Sequence, residues 1–584
     1  MKPMSSNTFK LTFITAAIVS STSASAALYQ VVEVTPDLTY SSDYVSAYGV
    51  AIQPGVAIDD QSLKLSKGCF DSTATNCSTS NFTLGGETRV TKTNAGEAVD
   101  GLSFREEAPF AMDNAFYYAQ DSDDFENYCD DQLLYSTCEA WASLRWNLWN
   151  KEIAGDTTIN SYAFTGSSTS GTLVNSTAYN TVINSIDSNG NPIGIKLTPG
   201  DVTSFRRNTV DAVAVDSPTL PSGTIQSRAW KTDGTYTVGS ISKSATNTNG
   251  TYYSSKAAMW KGSTLVELDW KSNLEVYNNS SIAQASLRDF IVNDGTIYAV
   301  GYNSFYDNRN YMEASISKVA EGSFETASNW TTVGVTNAKV YTNGGTSGDR
   351  IYSNTRLTSV NSNLIAIGEA KRQGGAPANG AAANRLFVVS DVSASSPSAT
   401  FLSGGIFFDG AGGKAGAINN YNEIVGQIDA ESTREASGKP RRKRGFIYPY
   451  NGTGTDSDRR AVFNNQGWWL DNLTNGSAPA SSSVDVSRNN DYRIIDATDI
   501  NDAGVISATA LKCDGGYDTT SYNATCGGGS QDETTVAVKL VPIAGATSDD
   551  ISERGTDDTS TERSGGSIGL WMLAVLGFLG FRRK

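Results

Sequence analysis

The chain has 584 residues, 61 acidic against 45 basic, for a net charge of −16, and contains no histidine. That balance argues against nucleic acid and anionic membrane surfaces as partners. The missing histidine excludes Ser-His-Asp and Cys-His catalysis and His-ligated zinc or iron, so any enzyme here must work with carboxylates, Tyr, Lys or a bound cation.

Residues 1–26 have the order of a signal peptide: Lys2 and Lys10, an apolar stretch from Leu11 to Val19, then a small-residue cleavage site at Ala24-Ser25-Ala26. The apolar run is too short for a membrane helix. Signal peptidase is the implied partner, and Ala27 the first mature residue. Export makes an oxidising compartment, so the six cysteines are expected to form three local disulfides, Cys69–Cys77, Cys129–Cys138 and Cys513–Cys526.

Strand chemistry begins at Tyr29-Gln30-Val31-Val32, with Val45–Ile52 as a degenerate early copy of the repeat described below and Gly85-Gly86 as a turn. Residues 121–155 read as a helical insertion. Ser136 and Glu139 are spaced as a capping box, and Trp141, Leu144 and Leu148 then share one helical face. A helix running unbroken from Cys129 to Cys138 would hold them about 13 Å apart. Their disulfide therefore requires the helix to start near residue 137. Asp121-Ser122-Asp123-Asp124 resembles a calcium loop, but Phe125 stands at its fifth position and no Gly follows; calcium is the only cofactor the sequence suggests. Trp146 and Trp149 are read as packing the insertion onto the body rather than stacking on sugars.

From 211 to 545 one phrase recurs at intervals of roughly 60 to 80 residues, the signature of a repeat architecture. An apolar residue leads, a polar turn follows, and an apolar run closes on Gly: Val292-Asn293-Asp294-Gly295 to Gly301, Val360-Asn361 to Gly368, Ile418-Asn419 to Gly426. Trp230 to Gly239 is a further copy, and Ile500-Asn501-Asp502 ends at Ala508. Each phrase reads as a tight hairpin whose Asn bonds its own backbone and whose Gly marks a bend or close backbone approach. Second and third strands follow, including Ala257–Gly262, Gly445–Tyr450 and Trp468–Leu473. Units of three or four short strands must stack to bury their faces.

The expectation is an all-β, repeat-built, β-propeller-like array of about seven blades over 27–545, with tandem β-sandwiches or a β-solenoid as alternatives. Lys439, Arg441, Arg442, Lys443 and Arg444 form a basic run in an acidic chain, a candidate loop for a polyanion. Ser240/Lys243 and Ser315/Lys318 have the spacing of a Ser-Lys nucleophile pair but lie on strands, where positions three apart face opposite ways.

Residues 546–563 are a polar linker. The ending is Ser564-Gly565-Gly566-Ser567, an apolar stretch from Ile568 to Phe581, then Arg582-Arg583-Lys584. This tail, 564–584, resembles the GlyGly-CTERM sorting signal of Gram-negative bacteria. The resemblance implies a transient membrane segment, a rhombosortase-type protease, and delivery to the cell surface or medium by type II secretion. The repeats resemble HAF-type extracellular repeats and the domain-of-unknown-function proteins that carry them, with Arg444-Gly445-Phe446 where those have His-Ala-Phe. Neither resemblance carries a known activity.

Two functions fit these observations. One is a secreted or surface scaffold that binds a glycan or envelope component. The other is an extracellular polysaccharide hydrolase or lyase using paired carboxylates. The absence of histidine and of any recognisable catalytic motif favours the scaffold.

Overall fold

The computed structural model describes residues 26–58, 65–90, 122–133, 137–153, 161–174, 179–197, 211–213 and most of 218–557, omitting 249, 273, 279–280, 306–309, 346, 383, 434–440 and 481. These residues are mostly β, arranged in antiparallel sheets of two to five strands and one mainly antiparallel sheet of nine. The nine-stranded sheet is two sheets joined by a single parallel pair, Ser46 with Thr535. Seven strands lie innermost: Ser46–Ile52, Tyr179–Ile186, Thr224–Thr232, Ser286–Asn293, Arg350–Val360, Gly413–Ile418 and Tyr492–Ile500. Each packs on the next, and the last packs on the first, so the sheets close a ring.

The apolar cores lie between sheets rather than within them. Val238, Met259, Leu287 and Ile297 fill one junction; Val300, Ile316, Leu357 and Phe387 the next; Ile367, Val388, Ile424 and Phe446 the one after. Alternation along each strand sends residues to both faces, so a sheet covered on both sides reads as the near-continuous apolar runs seen in the repeats. The ring is closed by the N-terminal strand Tyr29–Glu33, which pairs antiparallel with Glu533–Pro542 as the outermost strand of the last sheet.

The recurrent phrase is the hairpin between the first two strands of a unit. Asn293-Asp294-Gly295-Thr296 turns with φ of 47° and 69° at its central residues, as a two-residue hairpin requires. At Asn361, Asn419 and Asn501 the side-chain Oδ1 accepts the N–H four residues on, from Ile365, Glu423 and Val505.

All three expected disulfides are present, with Cα separations of 5.6, 5.4 and 5.6 Å. In the insertion, Ser122–Tyr128 is α-helical and a second helix starts at Cys138, as the disulfide demands. Phe125 is buried 6.3 Å from the rings of both Trp141 and Trp146, so Trp146 packs internally; the side chain of Trp149 lies outside the described residues. Two local readings change. Gly85 and Gly86 lie inside the strand Leu84–Arg89, not in a turn. Trp468–Leu473 is a strand only at Trp468–Trp469, after which Leu470–Leu473 is helical, its four residues all buried.

Candidate functional site

Every one of the seven inner strands carries a β-bulge, an extra residue unpaired with the second strand. The bulged residues are Val50, Asn184, Trp230, Arg288, Thr358, Gly416 with Ala417, and Thr498. The residue before each bulge faces Gly86, Gly194, Gly239, Gly301, Gly368, Gly426 or Ala508, so the phrase-closing glycines stand in one structural setting. A bulge bends its strand and pushes the preceding carbonyl toward the partner. A Cβ on Gly194, Gly239, Gly301, Gly368 or Gly426 would run into the carbonyl oxygen of Val182, Arg228, Ser286, Arg356 or Lys414, respectively.

Bulging aims side chains at the ring axis. The seven bulged segments line one central cavity of about 140 Å³, with charges contributed by Lys231, Arg288, Asp289, Arg356, Lys414, Asp496 and Asp499. Asp289 and Asp499 occupy the same place, directly after a bulge, and accept the same two kinds of backbone bond. Asp289 Oδ2 accepts from Val360 N at 3.0 Å and Ser359 Oγ at 2.8 Å, and Oδ1 from its neighbour Phe290 N. Asp499 Oδ2 accepts from Ile52 N at 3.0 Å, and Oδ1 from Ile500 N. Each carboxylate thus ties its own inner strand to the next one around the ring. Ser359, at the equivalent position, accepts from Ile418 N.

Burial raises the pKa of both carboxyls above the ordinary value, opposed by Lys231 and by the hydrogen bonds. Burial works against the Lys231 ammonium in turn, but the carboxylates of Asp499 and Asp289 outweigh it and its pKa is raised. Arg356 is neutralised by buried Glu369, at 2.5 Å. The Arg288 guanidinium lies 3.5 Å from the centre of the Trp230 ring, a close cation–π contact.

The described residues of the basic run, 441–444, do not form an exposed loop. Arg441 is fully buried, donating to Asp429, Gly410 O and Thr433 O. Lys443 pairs with the same Asp429. Arg444 is buried on Asp471 at 3.0 Å and on the rings of Trp469 and Tyr522. Lys443 and Arg444 belong to the strand Lys443–Pro449, whose alternation sends them to opposite faces, each to its own carboxylate; Arg442 lies 5.8 Å from the centre of the Tyr522 ring, and Lys439 lies outside the described residues. Ala24, Gly565, Gly566, Arg582, Arg583 and Lys584 also lie outside them. Ala26 and Ala27 are buried at the ring closure, where Ala27 N donates to Ser477 O at 2.7 Å. Among the described residues no acidic group is arranged to hold a metal, and no helix is long and apolar enough to cross a membrane.

Sequence reasoning missed the axial charges. The signal was present at the head of three of the phrases or just before it, where Arg228-Ala229-Trp230-Lys231, Leu287-Arg288-Asp289-Phe290 and Asp496-Ala497-Thr498-Asp499 put Lys231, Asp289 and Asp499 at equivalent positions.

No curated protein matches the chain. Among solved structures it is similar to a levansucrase mutant of B. megaterium, at 11% identity over 57% of this chain and 87% of that one, with a TM-score of 0.24. It is also similar to the alpha-L-arabinofuranosidase Arb93A of Fusarium graminearum, at 9% identity over 88% and 98%, with a TM-score of 0.29. A third is a subtype N11 neuraminidase-like protein of a flat-faced bat influenza virus, at 8% over 91% and 100%, with a TM-score of 0.22. Residues 218–584 match the model of one family, and the chain therefore belongs to the family described as Protein of unknown function (DUF3466).

Proposed function

We propose that the protein is an exported binding scaffold: a seven-bladed β-propeller closed by its N-terminal strand and presenting an axial polar pocket at the cell surface or in the medium. The observation that carries this reading is the convergence of seven equivalent bulges on one cavity, with its two deepest carboxylates committed to inter-strand hydrogen bonds. Signal peptidase removes residues 1–26, a rhombosortase-type protease acts at Gly565-Gly566, and type II secretion exports the body. The expected result is a mature N-terminus at Ala27 and no peptide covering Arg582–Lys584 in protein recovered from the surface of a Gram-negative host. Intact Lys584 on surface-exposed protein would contradict the processing step.

The hydrolase reading has one observation in its favour, the raised pKa of two carboxyls in a single cavity. A glycosidase needs one carboxyl as proton donor and another as base or nucleophile, about 5–10 Å apart. Asp289 and Asp499 instead spend their oxygens on backbone N–H groups, which supports binding over turnover. A polysaccharide panel decides between them. The scaffold reading expects binding without release of reducing ends or unsaturated products. Turnover that Asp289→Asn or Asp499→Asn abolishes would establish the enzyme.

A further inference from the structure

We propose that the body carries a peptide site for an arginine-centred segment, filled here by residues 551–557, and that Thr561-Glu562-Arg563-Ser564 is its second ligand, in a register that draws Gly565-Gly566 against the fold. What this does to sorting rests on the processing step proposed above. Composition makes 546–563 a polar linker, yet 551–557 runs along the body in a built seat. Arg554 is only 5% exposed. Its Nε donates to Asp471 O at 2.8 Å, and its Nη1 to Asn490 Oδ1 at 2.9 Å and Thr520 O at 2.8 Å. Acceptors spread around one planar group suit a guanidinium rather than an ammonium. Three further bonds touch only backbone on the ligand side. Asn475 Nδ2 donates to Ser552 O, Arg554 N to Asn472 Oδ1, and Tyr522 N to Gly555 O.

The same phrase returns nine residues later. Ser552-Glu553-Arg554-Gly555 is followed by Thr561-Glu562-Arg563-Ser564, directly ahead of Gly565-Gly566. Arg563 can make the same guanidinium bonds, and the backbone bonds carry over whatever the side chains. Glu553 is exposed, so a Glu at its position meets no obstacle. The position of Gly555 decides whether Ser564 fits. That glycine is not in the positive-φ region, and a Cβ on it meets nothing within 4 Å, so serine seats there without strain. Asp557 sets which register prevails. Its carboxylate accepts from Thr519 Oγ1 at 2.8 Å and Ser521 Oγ at 2.7 Å, while Ile551 packs on the core. The second register puts Gly566 and Ser560 in those places and forfeits both contacts, which makes it the minor one. In it Gly565 and Gly566 lie against residues 519–523, away from a protease.

The test is trypsin on the folded chain from Ala27 to Lys584 in mild detergent, with each cut timed by mass spectrometry. In wild type the bond after Arg554 resists and the bond after Arg563 is cut. Arg554→Ala combined with Asp557→Ala removes the first ligand, and cleavage after Arg563 slows at least about tenfold as that arginine takes the seat. Adding Arg563→Lys, which trypsin also cuts but whose ammonium the seat does not match, restores fast cleavage. Asp557→Ala alone keeps every bond of Arg554 and is the variant to read should the double one fail to fold. It makes the bond after Arg554 cleavable and slows the cut after Arg563 about two- to fivefold. An unchanged rate after Arg563 in these variants overturns the proposal, as does equal protection of the lysine. Trypsin acts on purified protein, so the outcome is independent of whether the tail is removed in cells.

Discussion

A methyl group on Gly301 would occupy the space of the Ser286 carbonyl oxygen, and the same conflict repeats at Gly239, Gly368 and Gly426. Backbone atoms of a paired strand cannot swing aside as a flexible side chain can. Gly301→Ala is therefore expected to cost about 1–3 kcal/mol in denaturant unfolding. Gly322→Ala, where nothing lies within 4 Å, should change stability by less than about 0.5 kcal/mol. Lys539 supplies a different residue-scale expectation. Its buried Nζ donates to Asn81 O, Phe82 O and Ser167 O at 2.8, 3.0 and 2.7 Å, with burial pushing its pKa down to about 8. An unfolded lysine titrates near 10.4. Between those values the unfolded chain binds the proton that the fold has released. Lys539 thus adds stability above about pH 10.4 that is lost as pH falls through about 8, by up to about 3 kcal/mol. Unfolding midpoints measured across this range should rise with pH more steeply in the wild type than in Lys539→Met.

At the scale of the hairpin, the turn asparagines do two jobs. Their Oδ1 atoms close their own turns, while Nδ2 reaches the next unit: Asn361 to Asn419 O at 2.9 Å, Asn419 to Asn501 O at 3.1 Å, and Asn501 to Gln53 O at 3.0 Å. A relay of amides therefore runs from turn to turn around part of the ring. Asn419→Ala removes both the buried cap and the bridge, and is expected to cost about 1–3 kcal/mol, read by thermal or denaturant unfolding. The first job was legible in the sequence, because Asn before a polar turn has a local partner. The second was not, because it depends on which unit stands alongside. The same division explains the rest. Gly239, Gly301, Gly368 and Gly426 were found by spacing alone, while Gly194 was missed because its hairpin turn, Asp187 to Pro192, lacks the leading phrase. The basic run was misread because composition registers charge, whereas Asp429 and Asp471, which bury it, lie 12 and 27 residues away from Arg441 and Arg444. The axial cavity could not be read at all from one unit, since it takes between one and four residues from every inner strand.

For the molecule as a whole, stability is shared among junctions, and the junction that joins the two ends has a distinct demand. Leu28, Tyr29, Val32 and Val34 are all buried where the first strand completes the last sheet. Each contributes about 1.5–3 kcal/mol by burial, so a chain starting after Val34 should unfold at clearly lower denaturant concentration than one starting at Ala27. A variant truncated at that point with an unchanged unfolding midpoint would show that the closure contributes nothing.

The seam between Tyr29–Glu33 and Glu533–Pro542 also sets an order of events. A polypeptide leaving its site of synthesis amino end first must carry that opening strand without its mate until residue 542 has emerged. During this interval the chain cannot lock into its finished shape, which keeps it threadable. The bare strand edge is also open to adhesion with other chains. Latching at the last moment would therefore make closure of the ring the final step of folding, after every cysteine of the three bridges has emerged.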